Sequence, residues 1–180
     1  MANSNQIIDF WFNELEPKQW WQKDSGFDRL IQTRFGDLHN QAKAGELFSW
    51  RATALGSLAE IITLDQFSRN IYRDQPEAFA SDAMALALAQ FAISQQFDQQ
   101  LSSTQQAFLY MPFMHSESKL IHVEAVKLFE AAGLTNNLEF ELQHKNIIDK
   151  FGRYPHRNKI LGRESTKEEI EFLKQPNSSF

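Results

Sequence analysis

Apolar residues in this chain recur at intervals of three and four, and strict alternation over a strand's length is hard to find. Side chains at that interval line one stripe of an α-helix, so the pattern commits most of the chain to amphipathic helices. The clearest stripe is Phe27, Leu30, Ile31, Phe35, Leu38 and Ala42; Asp24-Ser25 offers an N-cap before it, and Gly45 stands past its end. Residues 6–15 read as a short aromatic helix stopped near Pro17, with Trp20 and Trp21 in the connection and expected to cap the core. Further helices are expected over residues 54–72, 76–94, 103–115, 117–132 and 137–151, with Gly133 and Gly152 as stops. After a loop holding Pro155 and Gly162, Ser165-Thr166-Lys167-Glu168 matches a capping box for a last helix ahead of Pro176.

About eight helices joined by short connections predict an all-α fold of stacked antiparallel hairpins. Hairpins of roughly 34 residues would make it tetratricopeptide-like. Leu55-Gly56 and the pair Ala87 and Phe91 match fragments of that repeat, but no full signature returns at a fixed period. At 180 residues, 42% of them hydrophobic and including 16 Phe and 4 Trp, the chain has material for one core, so residues 1–180 are read as a single domain. The absence of cysteine excludes a disulfide scaffold, a thiolate nucleophile and cysteine-ligated metal centres. The N-terminal MANSNQIIDFWF has no basic segment before its apolar run, and no stretch approaches the ~18 apolar residues of a membrane span. Neither signal peptide nor membrane partner is expected, and the expected location is cytoplasmic.

Function is sought where polar residues interrupt the apolar stripes, because a buried charge needs partners. In the stripe of Leu58, Ile61, Ile62 and Tyr72, Asp65 and Arg69 project from the middle, four residues apart with acid before base, and Arg73 stands one turn on. Such a ladder is either a structural ion pair or the lining of a groove. His144 lies near the centre of the stripe of Phe140, Ile147, Ile148 and Phe151, as a hydrogen-bonded core histidine or as a base or ligand. FLYMPFMHSE, residues 108–117, places His115 and Glu117 near a helix end, where side chains converge on ligands without disturbing packing. A helix kinked at Pro112 and packing aromatic bulk is the competing account.

Charge gives a third signal. Residues 143–163 hold six Lys or Arg (Lys145, Lys150, Arg153, Arg157, Lys159, Arg163) against Asp149, a net +5, while the whole chain carries −5 and the remainder therefore −10. Arg153, His156, Arg157 and Arg163 surround the loop of Gly152, Pro155 and Gly162, where guanidinium forks could take a carboxylate or phosphate bidentately. Docking of the patch on acidic helices of the same fold explains it equally well. The acidic balance disfavours nucleic acid as a partner, although Phe151 and Tyr154 flank the patch. Glu141-x-x-His144 is one Glu-x-x-His element of the kind used in di-iron bundles, but such sites need two and no other histidine has a Glu three residues before it. No metal and no cofactor is assigned. Phosphate-loop, zincin and nucleophile-elbow motifs are absent as well.

DFWF (residues 9–12), LDQFSRNIYRD (64–74), FLYMPFMHSE (108–117) and FGRYPHRNKILGRESTKEEIEFL (151–173), in that order, resemble the bacterial domain-of-unknown-function 924 family over nearly the entire chain. The resemblance implies an all-helical, tetratricopeptide-like fold, no established reaction and no assigned catalytic residues. The residues themselves support three readings. The first is a binding module presenting Arg69, Arg73, Arg153, His156, Arg157 and Arg163, with Asp65, His115, Glu117 and His144, in an Arg/His-lined groove to an acidic small molecule or peptide. The second is an enzyme in which Asp65 with His115 or His144 acts on an anionic substrate. The third is a structural polar network in a scaffold whose protein partner binds elsewhere.

Overall fold

The computed structural model describes residues 3–179, and among them the chain is all-α, with no strand. Its helices are α1 (Ser4–Asp9), α2 (Ser25–Lys43), α3 (Ala54–Ile62), α4 (Ser68–Ile71), α5 (Asp82–Ser94), α6 (Ser103–Met114), α7 (Lys119–Ala131), α8 (Thr135–Phe151) and α9 (Lys167–Phe172). None of these is long and apolar enough to cross a membrane. By contact the chain divides into two compact units, Met1–Arg73 with Glu77–Pro112, and Asp74–Pro76 with Phe113–Phe180.

In the first unit α3 packs against α1 and α5, and α2 against α4. Asp24 caps α2 as its sequence suggests, its side chain accepting from the amide of Phe27 at 2.8 Å. Two wide π turns are the feature that periodicity does not anticipate, Phe10–Glu14 following α1 and Thr63–Phe67 joining α3 to α4. A π turn adds a residue to the helical circuit and rotates every later side chain by roughly 100°. The two turns deliver Phe10, Trp11, Leu64 and Phe67 to the core, all at 1% exposure or less. Phe35 joins them from α2, with ring centroids 4.9 Å from Phe10 and 5.2 Å from Phe67, and Trp11 lies 5.6 Å from Phe67. Such aromatic pairs add about 0.5–1.5 kcal/mol each beyond the area they bury.

Several apolar residues are less buried than the sequence implies. Leu30 is largely exposed, and of the two tryptophans expected to cap the core only Trp20 is half-buried, with its indole N–H donated to the carbonyl of Trp11; Trp21 lies on the surface, stacked over Phe108. Phe140, assigned to the buried stripe of α8, is exposed, because that face turns toward α7 only at Glu141, His144, Ile147 and Ile148.

In the second unit α7 and α8 form an antiparallel hairpin. Lys119 at the start of α7 donates to the carbonyl of Asp149 near the end of α8, which fixes the direction of the pair. Gly152 terminates α8 with φ +70°, a left-handed conformation that a Cβ disfavours. The capping box of α9 lies one residue later than the expected Ser165 and Glu168: Thr166 accepts from the amide of Glu169, and Glu169 from that of Thr166. Ser165 is instead held by Asn158, whose amide donates to its hydroxyl at 3.1 Å.

Gly56 sits inside α3 where the chain before it passes very close. A Cβ there would meet the Trp50 carbonyl oxygen at 2.1 Å. Ala normally stabilises a helix interior by roughly 0.5–1 kcal/mol over Gly. Gly56→Ala is expected to reverse that sign and destabilise by about 1–3 kcal/mol through overpacking, read as a lower urea midpoint by circular dichroism.

Candidate functional site

The ten residues singled out by sequence divide between the units: Asp65, Arg69 and Arg73 lie in the first, and the other seven in the second. In the first, the acid-before-base spacing does make a pair. Arg69 Nη1 reaches Asp65 Oδ1 at 3.2 Å and its carbonyl at 2.7 Å, and Asp65, 1% exposed, also accepts from the amide of Gln66. Arg69 then forks onto Asp82 of α5 at 2.9 and 3.1 Å. Arg73 takes a different carboxylate, both oxygens of Asp28 on α2 at 2.6 and 2.7 Å, with Asn70 on the same group at 2.9 Å. Burial pushes the Asp28 carboxyl up, but these donors outweigh it and hold it below the ordinary range. The ladder thus clamps α4 to α2 and α5.

The second unit gathers its polar residues around Tyr154, which the sequence marks only as a flank of the basic patch. Tyr154, fully buried just after Gly152, has every polar group engaged. Its amide donates to Glu117 Oε1 at 2.7 Å, its carbonyl accepts from Arg163 at 3.2 Å, and its hydroxyl donates to the carbonyl of Met114 at 2.5 Å. The Arg157 guanidinium lies 4.6 Å from its ring centroid. The rings of His156, His144 and His122 stand 5.5, 5.7 and 6.3 Å away. Arg157 is 6% exposed and donates to the carbonyl of His115, while His115 and His156 are half-buried.

The basic segment is matched from within the unit. Arg163 forks onto Glu117 at 2.6 and 2.9 Å and adds Asn158 Oδ1 at 2.9 Å; Arg153 forks onto Glu169 of α9 at 2.7 and 2.8 Å and donates to the Glu164 carbonyl. Lys150 meets Glu168 and Lys145 meets Asp149 nearer the surface. Burial pushes the Glu117 carboxyl up, yet Arg163, the Tyr154 amide and the charge of Arg157 together hold it below its usual range. The Arg153 fork pulls Glu169 down to about 2. Docking on the fold's own acids, one of the two explanations for the patch, therefore describes Arg153 and Arg163.

His144 is buried and donates Nδ1–H to the carbonyl of Phe140, one turn back. Burial pushes its pKa down to about 3, the backbone bond opposes this, and the neighbouring His115, His122 and His156 add to it, so the ring is neutral. Glu141, its partner in the Glu-x-x-His element, faces elsewhere: Oε1 meets His122 Nδ1 at 2.6 Å, both residues being fully buried. Among the described residues no group of three or more His, Cys, Asp or Glu could hold a metal ion.

A family model for bacterial proteins of unknown function, DUF924, matches residues 7–177. The chain belongs to that family. A solved structure of a protein of unknown function from Agrobacterium tumefaciens is similar to it, at 38% identity and a TM-score of 0.91, covering 95% of this chain and 96% of that one. Comparison with curated proteins finds no match. The site in this DUF924 chain has therefore to be read from its own geometry. His122 and Glu141 were discoverable, since His122 shares the buried stripe of α7 with Ala125 and Phe129, and Glu141 that of α8 with His144 and Ile148. Tyr154 carried no signal of that kind, because it sits in a loop where no period marks a buried side.

Glu117 and Glu169 both contribute to the acid sensitivity of this unit. Both have carboxyl pKa values lowered by folding, so their contribution is present above the ordinary value of about 4.5 and is lost as pH falls through the folded values, toward about 2 for Glu169. Arg163→Ala should remove the Glu117 part of this acid dependence and cost about 1–3 kcal/mol at neutral pH. Arg163→Lys, which cannot hold two carboxylate oxygens and Asn158 in one plane, should recover only part, as read by urea midpoints from pH 3 to 7.

Proposed function

We propose that the chain is a helical binding module for an anion, a carboxylate or phosphate carried by an acidic small molecule or peptide, and that its second unit holds the site on the loop following α8. The observation that carries this reading is the assembly about Tyr154: the Arg157 cation over the ring, the rings of His122, His144 and His156 around it, and His115 within electrostatic range of His144. A planar cation in a partly desolvated setting, with imidazole donors beside it, suits a carboxylate or phosphate edge. Within the assembly the layers differ. His122 and His144 are sealed from solvent and His115 and His156 are half-buried, so the last two are the rings a solute would meet. Arg153, Arg163 and Glu117 shape the loop, and in the first unit Asp65, Arg69 and Arg73 brace helices.

The acid–base alternative draws less support. A general base works best with a pKa near the operating pH, and His144 at about 3 is a weak one. Asp65 is already engaged by Gln66 and Arg69.

Phosphate, sulfate and a short acidic peptide are expected to separate in a thermal-shift assay, one class raising Tm by about 5 °C or more at roughly 100 times its Kd. His115→Gln with His156→Gln should abolish that shift while keeping the helical circular dichroism of the parent. Absence of a shift with all three probes, or a shift that survives the double substitution, would refute the reading.

A further inference from the structure

His122, sealed from the solute that His115 and His156 would meet, is paired with Glu141, and the hydrogen bonding of that pair leaves little freedom. His122 Nε2 lies 2.8 Å from the carbonyl oxygen of Ser116 and 3.2 Å from the Tyr154 hydroxyl. A carbonyl only accepts, and that hydroxyl already donates its proton to Met114, so Nε2 must carry hydrogen. Nδ1 then faces Glu141 Oε1 at 2.6 Å, a contact that needs one proton between the two atoms. With that proton on nitrogen the pair is imidazolium and carboxylate; with it on oxygen, imidazole and carboxylic acid. Without it, a nitrogen lone pair and an anionic oxygen would oppose one another in a site from which water is excluded. Glu141 Oε2, buried with no hydrogen-bond partner, makes a bare carboxylate costlier still.

We propose that Glu141 and His122 form a one-proton lock, in which a single shared proton holds α7, α8 and the Tyr154 corner together and its removal releases them. The lock depends on this geometry and not on the anion reading. The groups around it act in both directions. His115, His122 and His156 each lie within electrostatic range of His144, Arg157 lies over the shared Tyr154 ring, Lys145 favours the carboxylate, and Asp149 feels the charge of His122. Burial is the largest influence on Glu141, pushing its carboxyl up against the lowering effects of His122 and Lys145.

The linkage follows from counting protons on the pair as one titrating unit. In the unfolded chain the two groups together bind two protons below about 4.5, one between about 4.5 and 6.5, and none above about 6.5. The folded pair binds one. A carboxyl raised by folding contributes stability that is lost as pH rises, and since the unfolded imidazole keeps its own proton up to about 6.5, the loss begins there. Above that point folding takes up a proton, and the folding equilibrium constant falls about tenfold per pH unit until the folded pair itself lets go. The acid side is shared with Glu117, Glu169 and the neutral, buried His144, so the alkaline limb is the diagnostic one.

Glu141→Gln provides the test, since a carboxamide donates to Nδ1 with a hydrogen that does not titrate. Urea unfolding of the full chain from pH 7.5 to 8.5, above the range in which unfolded histidines such as His144 still take up protons, should show the parent's folding constant falling about tenfold, and that of Glu141→Gln staying flat to within about twofold. Amide exchange of α7 and α8 should quicken with pH, beyond the intrinsic chemical rate, in the parent alone. Should the variant fail to fold, calorimetric refolding of the parent at pH 8 in buffers of different ionisation enthalpy still decides the matter, with uptake of about one proton expected. A flat parent profile, an equal slope in Glu141→Gln, or refolding without proton uptake would each overturn the lock.

Discussion

The second unit depends on the burial of one phenol in a loop. Tyr154 follows the left-handed turn at Gly152 and disappears from solvent, which is affordable only because its amide, carbonyl and hydroxyl all find partners. Those partners come from both sides of the chain: Met114 and Glu117 before α7, and Arg163 beyond the loop. Anchoring the tyrosine therefore fixes the path of the basic segment, and with it the positions of His156 and Arg157. The cluster about its ring is a consequence of that anchoring.

Charge is managed in two different ways. Where a carboxylate is buried or half-buried beside an arginine, as for Asp28 with Arg73, Glu60 of α3 with Arg51, Glu117 with Arg163 and Glu169 with Arg153, a two-pronged guanidinium satisfies both oxygens. Breaking a buried pair of this kind leaves an uncompensated charge and costs about 3–5 kcal/mol, with less where one side is exposed. Solvent-facing pairs such as Lys127 with Glu124 and Lys174 with Glu171 are worth about 0–1 kcal/mol. Glu141 faces an imidazole instead, which supplies one donor where an arginine supplies two. That difference makes its contact sensitive to a single proton and leaves its second oxygen without a hydrogen-bond partner.

The helical wheel succeeds wherever the helix is regular. Phe27, Ile31, Phe35, Leu38 and Ala42 are buried along α2 as their spacing requires, and Asp65 and His144 are buried polar residues as the interrupted stripes indicated. It is less informative across Thr63–Phe67, where the π turn rotates the phase and brings Leu64 and Phe67 inward with Asp65 and Gln66. It has no purchase on loops, which is why the sequence marks Tyr154 only as a flank of the basic patch and not as a buried centre. His122 obeys the same rule as His144, and the Glu-x-x-His spacing pairs Glu141 with the histidine beside it in sequence, whereas the fold pairs it with the one across the hairpin.

The sequence by itself determined which segments are helical, where most of them begin and end, and which polar residues are carried inward, because all of these follow from periods and caps spanning a few neighbouring positions. It determined the family as well, through long motifs in a set order. Only the tertiary structure decided the partners. Arg163 meets Glu117 across 46 positions, Arg73 meets Asp28 across 45, and His122 meets Glu141 across 19. No local period connects residues so far apart. Their pairing is set by which helix faces come together, and that choice minimises buried unpaired charge over the whole unit, which no single segment encodes.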